Sequence, residues 1–243
     1  MENIALVDLF LEGLDTILEN VFTPLYGITA FVALWRYRRY YDTALKFLPI
    51  IFFYTFLSET LGLLIRDYGF NLLINDIYTG NNSLPANIYH IVFYLFFFSV
   101  YYYFLDRPRD KKVVVAWIII FVFASLYNIY KESFLTLSQV YAYVAGGLGI
   151  ICCCILYFIQ NKRLTGKWCN KRDLLSWISL GLLAFYIVYI PIKIMKHYWA
   201  LIGEYGDPWS RRIHLSVLIF MYICFILGFV KMDRILLKRK STV

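Results

Sequence analysis

Apolar residues fall into seven long runs separated by short polar stretches, most of them basic. The runs cover about residues 14–35, 47–65, 84–105, 113–130, 137–159, 174–194 and 213–230. A hydrocarbon core of about 30 Å needs about 20 apolar helical residues, which each run approaches or exceeds. Every backbone amide in lipid must bond within its own segment or a closed sheet. Ten-residue alternating strands, the mark of a membrane barrel, are absent. The pattern therefore predicts an all-α polytopic membrane protein, a seven-transmembrane helix bundle forming one domain over residues 1–243, with a basic tail at 231–243. The first run is the least regular. Asp15, Glu19 and Asn20 lie near its start, and its uninterrupted apolar part begins only at Val21.

Composition narrows the class further. Apolar residues make up 61% of the 243-residue chain and charged residues 16%, against about 25% charged in a soluble domain. Mean hydropathy is +0.63. These values exclude a soluble enzyme, a nucleic-acid module and a disordered chain. The formal net charge of +8 would suit nucleic acid, but the basic residues sit between apolar runs, so no nucleic-acid partner is expected. The five cysteines contain no CxxC pair, so no disulfide framework or zinc site is expected. The acidic N-terminal segment, without Lys or Arg before Arg36, is unlike the basic start of a cleavable signal.

The distribution of charge sets an expected orientation. Arg36, Arg38, Arg39 and Lys46 lie in one loop, and Arg107, Arg109, Lys111 and Lys112 in a second. Lys162, Arg163, Lys167, Lys171 and Arg172 lie in a third, and the tail adds five more between Lys231 and Lys240. All four segments fall on one side of the membrane. The positive-inside rule then predicts an outer N-terminus and a cytoplasmic C-terminus, in a cell membrane expected to be the bacterial inner membrane. Many of the 22 tyrosines, such as Tyr101-Tyr102-Tyr103, belong to the aromatic belts at the interfaces. Ala142, Ala145, Gly146 and Gly149 give small-residue spacings that let helices approach closely. The Cys152-Cys153-Cys154 run reads as packing.

Polar groups within spans are costly, so each is a candidate for function. At about 1.5 Å per residue, Glu59, His90 and Tyr143 each lie about 9 Å below the outer ends of spans 2, 3 and 5. Asn87 sits one turn above His90, and Gln139 lies at the mouth of span 5. Lys193 and His214 mark the outer ends of spans 6 and 7. The inner half offers little beyond Ser99, the cysteines and Ser176. This asymmetry predicts an outward-facing cavity whose ligand-binding residues are Glu59, Asn87, His90, Gln139, Tyr143, Lys193 and His214. The competing reading of Glu59 is a tie between spans 2 and 3. The 66–83 loop carries an Asn81-Asn82-Ser83 glycosylation sequon. The aromatic 195–212 loop, with Tyr198, Trp199, Tyr205 and Trp209, is expected to cap the cavity or lie on headgroups. The tail, with Ile235, Leu236 and Leu237 among its cations, is expected to lie on an anionic leaflet, making membrane lipids its partners.

Known chemistries fit poorly. Retinal binding needs a lysine in the middle of the last span, and 213–230 holds none. Glu59, His90 and His214 form in principle a two-His-one-carboxylate metal site, making an intramembrane metal-dependent lipid hydrolase a lesser alternative, although no metal or other cofactor is expected. The seven-span layout with an outer N-terminus, the span-2 pair Ser58-Glu59 and the span-3 Asn87-x-x-His90 together resemble the stand-alone seven-helix sensory modules of bacterial signalling. That resemblance is one of topology and covers the whole chain. It implies a membrane sensor, more a receptor than an enzyme, which takes a small-molecule or lipid-like ligand from outside and passes a signal to a separate protein partner. A transporter or an accessory subunit of a membrane complex is the alternative.

Overall fold

The computed structural model describes residues 2–68, 83–135, 137–203 and 208–233. The sequon, Tyr205 and the tail from Arg234 onward lie outside the described residues. The described chain is all-α. Its helices are α1 (Glu2–Trp35), α2 (Leu48–Tyr68), α3 (Ser83–Phe104), α4 (Pro108–Lys131), α5 (Val140–Thr165), α6 (Leu174–Ile202) and α7 (Pro208–Lys231). All seven are long and apolar enough to cross a membrane, so the chain is a multi-pass membrane protein by length and composition. Two short 3-10 turns, Tyr37–Arg39 and Ala44–Phe47, join α1 to α2.

Helix ends follow local chemistry. Pro108 and Pro208 start α4 and α7, where a missing N–H costs nothing. Asp173 caps α6 by accepting from the Ser176 N–H. Gly166 and Gly203 end α5 and α6 at φ 72° and 74°, a left-handed conformation that glycine adopts without strain. Two expected boundaries move. Span 5 starts at Val140, with Gln139 at its N-cap, three residues later than the apolar pattern suggested. The 195–212 loop is mostly helix, because nothing breaks α6 between Lys196 and Gly203. Tyr198 and Trp209 are therefore exposed helical residues and Trp199 a half-buried one, none of them lining the cavity described below, and only 203–207 remain between α6 and α7.

The helices pack around a closed circuit. α1 lies on α2 and α7, α7 on α6, α6 on α5, and α5 on α3. α4 packs outside, against α3 and α5. The seam between α2 and α3 is the least extensive of those that close the circuit. Three glycines of α5 make the interior possible. A Cβ at Gly146 would lie 2.7 Å from the Tyr94 ring, one at Gly149 2.7 Å from Phe98, and one at Gly147 2.8 Å from Tyr186 and Ile190. The small residues thus admit aromatic rings from α3 and α6, a tighter use than bare helix contact. Cys153 and Cys154 are buried in the same region.

Both ends are pinned by polar contacts. At one end, Arg212 of α7 forks onto Asp15 of α1 through Nε and Nη2, at 2.7 and 2.9 Å. This pair accounts for the carboxylate that interrupts the first apolar run. At the other, basic end, Arg39 donates to the Met232 carbonyl at 2.6 Å, a cation at the negative end of α7.

That basic end also holds a polar network absent from the sequence reading. Tyr157 donates to Asp173 at 2.6 Å, and so does the Ser176 hydroxyl. Asn161 donates to Ser176 at 2.8 Å, while Gln160 bonds the Phe104 carbonyl and the Asp106 N–H. Tyr101 meets Ser179 and the Cys154 thiol. The expectation of an almost apolar inner half is thus corrected. The apolar run was ended at 159, just before Gln160 and Asn161, yet α5 continues one and a half turns and turns both amides inward. The network is self-satisfied and encloses no void comparable with the one below. In the loop before α6, burial and then the Asp173 carboxylate push the Cys169 thiol above its ordinary value.

Candidate functional site: a polar cavity in one half of the bundle

A cavity of about 560 Å³ lies between the helices at the end opposite the basic loops. Its volume is within the usual range for small-molecule sites. On α7 its wall runs from Arg211 to Tyr222, and on α6 from Phe185 to Lys196. Each stretch spans about 16 Å at 1.5 Å per residue. α1 contributes Phe22 and Tyr26, α2 Thr55 and Glu59, α3 Ala86 to Phe93, and α5 Tyr143. The cavity reaches the surface beside the exposed Arg211. Beneath it the core is aromatic and dry: Phe52 packs against Tyr222, Phe225 and Phe229 at ring distances of 6.3, 5.5 and 5.9 Å.

The seven candidate residues divide. Glu59, His90, Tyr143, Lys193 and His214 share the cavity wall. Asn87 and Gln139 do not; they hold the turn between α4 and α5. The Asn87 amide donates to the carbonyls of Phe134 and Leu137, both at 2.8 Å, and its oxygen accepts from the Gln139 N–H at 3.3 Å. Asn87 and His90 lie on one side of α3, offset by about 60° around the axis, and of the two only His90 lines the cavity. That offset puts one residue at the turn and the other at the void. The Gln139 side chain is buried without a hydrogen-bond partner, beside a second void of about 10 Å³.

Each cavity residue has a defined setting. His214 stacks on Tyr189 with centroids 3.9 Å apart and planes 17° from parallel. His90 meets the Tyr143 ring edge-on at 5.0 Å. Lys193 donates to Ser138 at 2.7 Å and lies 5.5 Å from the Tyr143 ring centre. Glu59 forms no hydrogen bond or ion pair among the described residues. The seam reading of Glu59, a tie from α2 to α3, is carried instead by Thr55, which bonds Tyr89 at 2.9 Å.

Sequence reasoning missed much of this wall. Lys196 and Arg211 were not among the candidate residues, nor were Tyr26, Tyr89, Tyr186, Tyr189 and Tyr222. Their spacing held the signal. Tyr186 and Tyr189 lie on one helix face at i, i+3, in mid-run rather than at its ends. Glu59, His90 and His214 share the cavity, but no group of three His, Cys, Asp or Glu among the described residues is arranged to hold a metal ion. No protein-family model, curated protein or solved structure matches the chain.

Proposed function

We propose that the chain is a seven-helix membrane sensor that binds a small molecule in the cavity and passes the change to a separate protein at its basic end. The observation that carries this reading is the cavity itself. It is large, confined to one half of the bundle, lined by ionisable groups of which Glu59 and Lys196 make no hydrogen bond among the described residues, and closed below by packed aromatic rings. A structural bundle gains nothing from such a void, since buried charges cost several kcal/mol unless paired. The basic loops supply the orientation: by the positive-inside rule the cavity opens outward and the α5–α6 network faces the cytoplasm. The bacterial inner membrane as its setting, and a signalling partner there, rest on the topological resemblance alone.

A route between the ends is available. Tyr143, Tyr186 and Tyr94 pack on one another, one pair edge-on and two tilted, with centroids 5.9 Å apart in each pair. Two turns further along α3, the Tyr101 ring meets the Tyr157 ring edge-on at 6.3 Å, and Tyr157 donates to Asp173. Filling the cavity tests the coupling. Leu218→Trp adds bulk at its wall, and hydrogen exchange is then followed at 161–173 and 36–46. The sensor reading expects changed exchange there; wild-type exchange in both segments, with the cavity filled, overturns it. A transporter is the outcome if cysteines placed at the cavity floor react from both sides of the membrane.

A further inference from the structure

We infer that the ligand is a zwitterion, with an alkylammonium group beside Glu59 and an anionic group, phosphate or carboxylate, against Lys193 and Lys196. This deepens the sensor reading of the same cavity and rests on it.

The charges of the wall are segregated. Glu59 stands on α2, while Lys193, Lys196 and Arg211 stand on α6 and α7. The packing circuit puts those helices on different sides of the void, with α1 on one flank and α3 and α5 on the other. No ion pair joins Glu59 to these cations, and it is the one carboxylate among the described lining residues. Lys193 spends one N–H on Ser138 and keeps two. Lys196 makes no hydrogen bond among the described residues.

An anion alone would satisfy the lysines and leave Glu59 facing it across a low-dielectric space. A cation alone would satisfy Glu59 and meet repulsion from Lys193 and Lys196. A molecule carrying both charges pairs each wall with its complement and leaves neither unpaired. The surroundings of Glu59 select the kind of cation. Tyr26, Tyr89, Tyr189 and Tyr222, from four helices, line the same void as Glu59. Tyr26 and Tyr222 meet edge to face at 4.6 Å. A void lined by aromatic rings and one carboxylate favours a weakly hydrated alkylammonium ion, which draws on ring quadrupoles as well as on charge.

The full-length chain in dodecyl maltoside, a detergent without ammonium or phosphate groups, is titrated with four probes in a calorimeter. They are phosphocholine, choline, inorganic phosphate and dihexanoylphosphatidylcholine. Phosphocholine is expected to bind at least tenfold more tightly than choline or phosphate. Glu59→Gln is expected to weaken phosphocholine and choline by tenfold or more and to leave phosphate unchanged. Lys196→Gln is expected to do the reverse, weakening phosphocholine and phosphate but not choline. Tighter binding of the short-chain lipid than of phosphocholine assigns the zwitterion to a lipid headgroup, and equal or weaker binding assigns it to a free solute. If Glu59→Gln does not purify as a monodisperse species, Glu59→Asp, which withdraws the charge by one methylene, is expected to weaken choline. Three results overturn the inference: no binding of any probe, phosphate binding as tightly as phosphocholine, or choline binding unaffected at position 59. Changed exchange at 161–173 in Leu218→Trp would still uphold the sensor, so the two failures are distinguishable.

Discussion

Replacing Asn87 separates a ligand contact from a structural clamp. Its side chain makes three hydrogen bonds, all to backbone groups of the segment that joins α4 to α5. The residue is 1% exposed, so water cannot take over those bonds. Asn87→Ala leaves two carbonyls and one N–H without their partner. Hydrogen bonds of this kind contribute about 0.5–1.5 kcal/mol each in proteins generally, and about 0.6 kcal/mol on average within a membrane bundle. Three lost together amount to about 2–4 kcal/mol. In a chain of this size that corresponds to a fall in melting temperature of roughly 4–16 °C, at about 2–4 °C per kcal/mol.

Asn87→Asp is the sharper variant. It keeps the shape but swaps a donor of two hydrogen bonds for an oxygen that faces two carbonyls, so it is expected to melt below Asn87→Ala. Both are measured as thermal unfolding of the purified protein in dodecyl maltoside, followed by near-ultraviolet circular dichroism. Phosphocholine affinity, measured below the melting range, is expected to stay within twofold of wild type. The clamp is refuted if Asn87→Ala melts within 2 °C of wild type, or if the aspartate variant is the more stable. Unchanged melting with tenfold weaker ligand binding would return Asn87 to the ligand site.

Gly146→Ala and Gly149→Ala place a methyl within 2.7 Å of the Tyr94 and Phe98 rings. Overpacking of about 1–3 kcal/mol, partly offset by about 1 kcal/mol of helix propensity, is expected to lower the melting temperature in the same assay. Asp173→Ala removes the α6 cap and the partner of Tyr157. It is expected to cost about 1–2 kcal/mol and to raise hydrogen exchange in 166–176 while exchange near Asn87 stays as in wild type. Arg212→Ala and Asp15→Asn break the same α1–α7 pair. Their effects on melting are expected to be less than additive in the double variant; strict additivity would deny the coupling. A reporter fused to the C-terminus is expected to be active in the cytoplasm, and a cysteine replacing Lys46 to be labelled only after the membrane is opened.

Much of the fold was legible because lipid imposes a length and an apolarity on every span. Glu59, His90, Tyr143, Lys193 and His214 could be brought to one region because helix rise converts position into depth. Depth says nothing about azimuth. Asn87 and His90 are three residues apart on one side of α3, yet one holds a turn and the other lines the cavity. Gln139 was read as part of a span when it is the residue that begins one. Tyrosines posed the opposite difficulty. Residue type alone cannot separate a belt tyrosine such as Tyr103, which is 51% exposed, from Tyr222 at 3%. Only the neighbours across the bundle make that distinction. Gln160 and Asn161 were hidden by the rule that ends a span where its polarity rises, whereas a helix whose amides find buried partners continues past that point.

The two polar regions of the bundle differ in one physical respect that bears on function. In the α5–α6 network, the hydrogen bonds close on one another: Asp173 accepts from Tyr157 and from Ser176, and Ser176 in turn accepts from Asn161. Such a network has little reason to admit a ligand, because any entrant must break bonds that are already made. In the cavity, Glu59 and Lys196 have no such bonds among the described residues, so an entrant of matching charge gains contacts without breaking any. In the sensor proposed above, binding there is expected to draw α2 toward α6 and α7 across the void, with the α2–α3 seam, the least extensive of the circuit, giving way first. Tyr94 connects the two regions: its hydroxyl bonds the Tyr143 carbonyl at 3.1 Å, and its ring fills the space left by Gly146. A methyl at Gly146 that pushes Tyr94 aside is therefore expected to disturb ligand affinity and exchange at 161–173 together. A Gly146→Ala protein that loses stability but changes neither would show that the two ends of the bundle act independently.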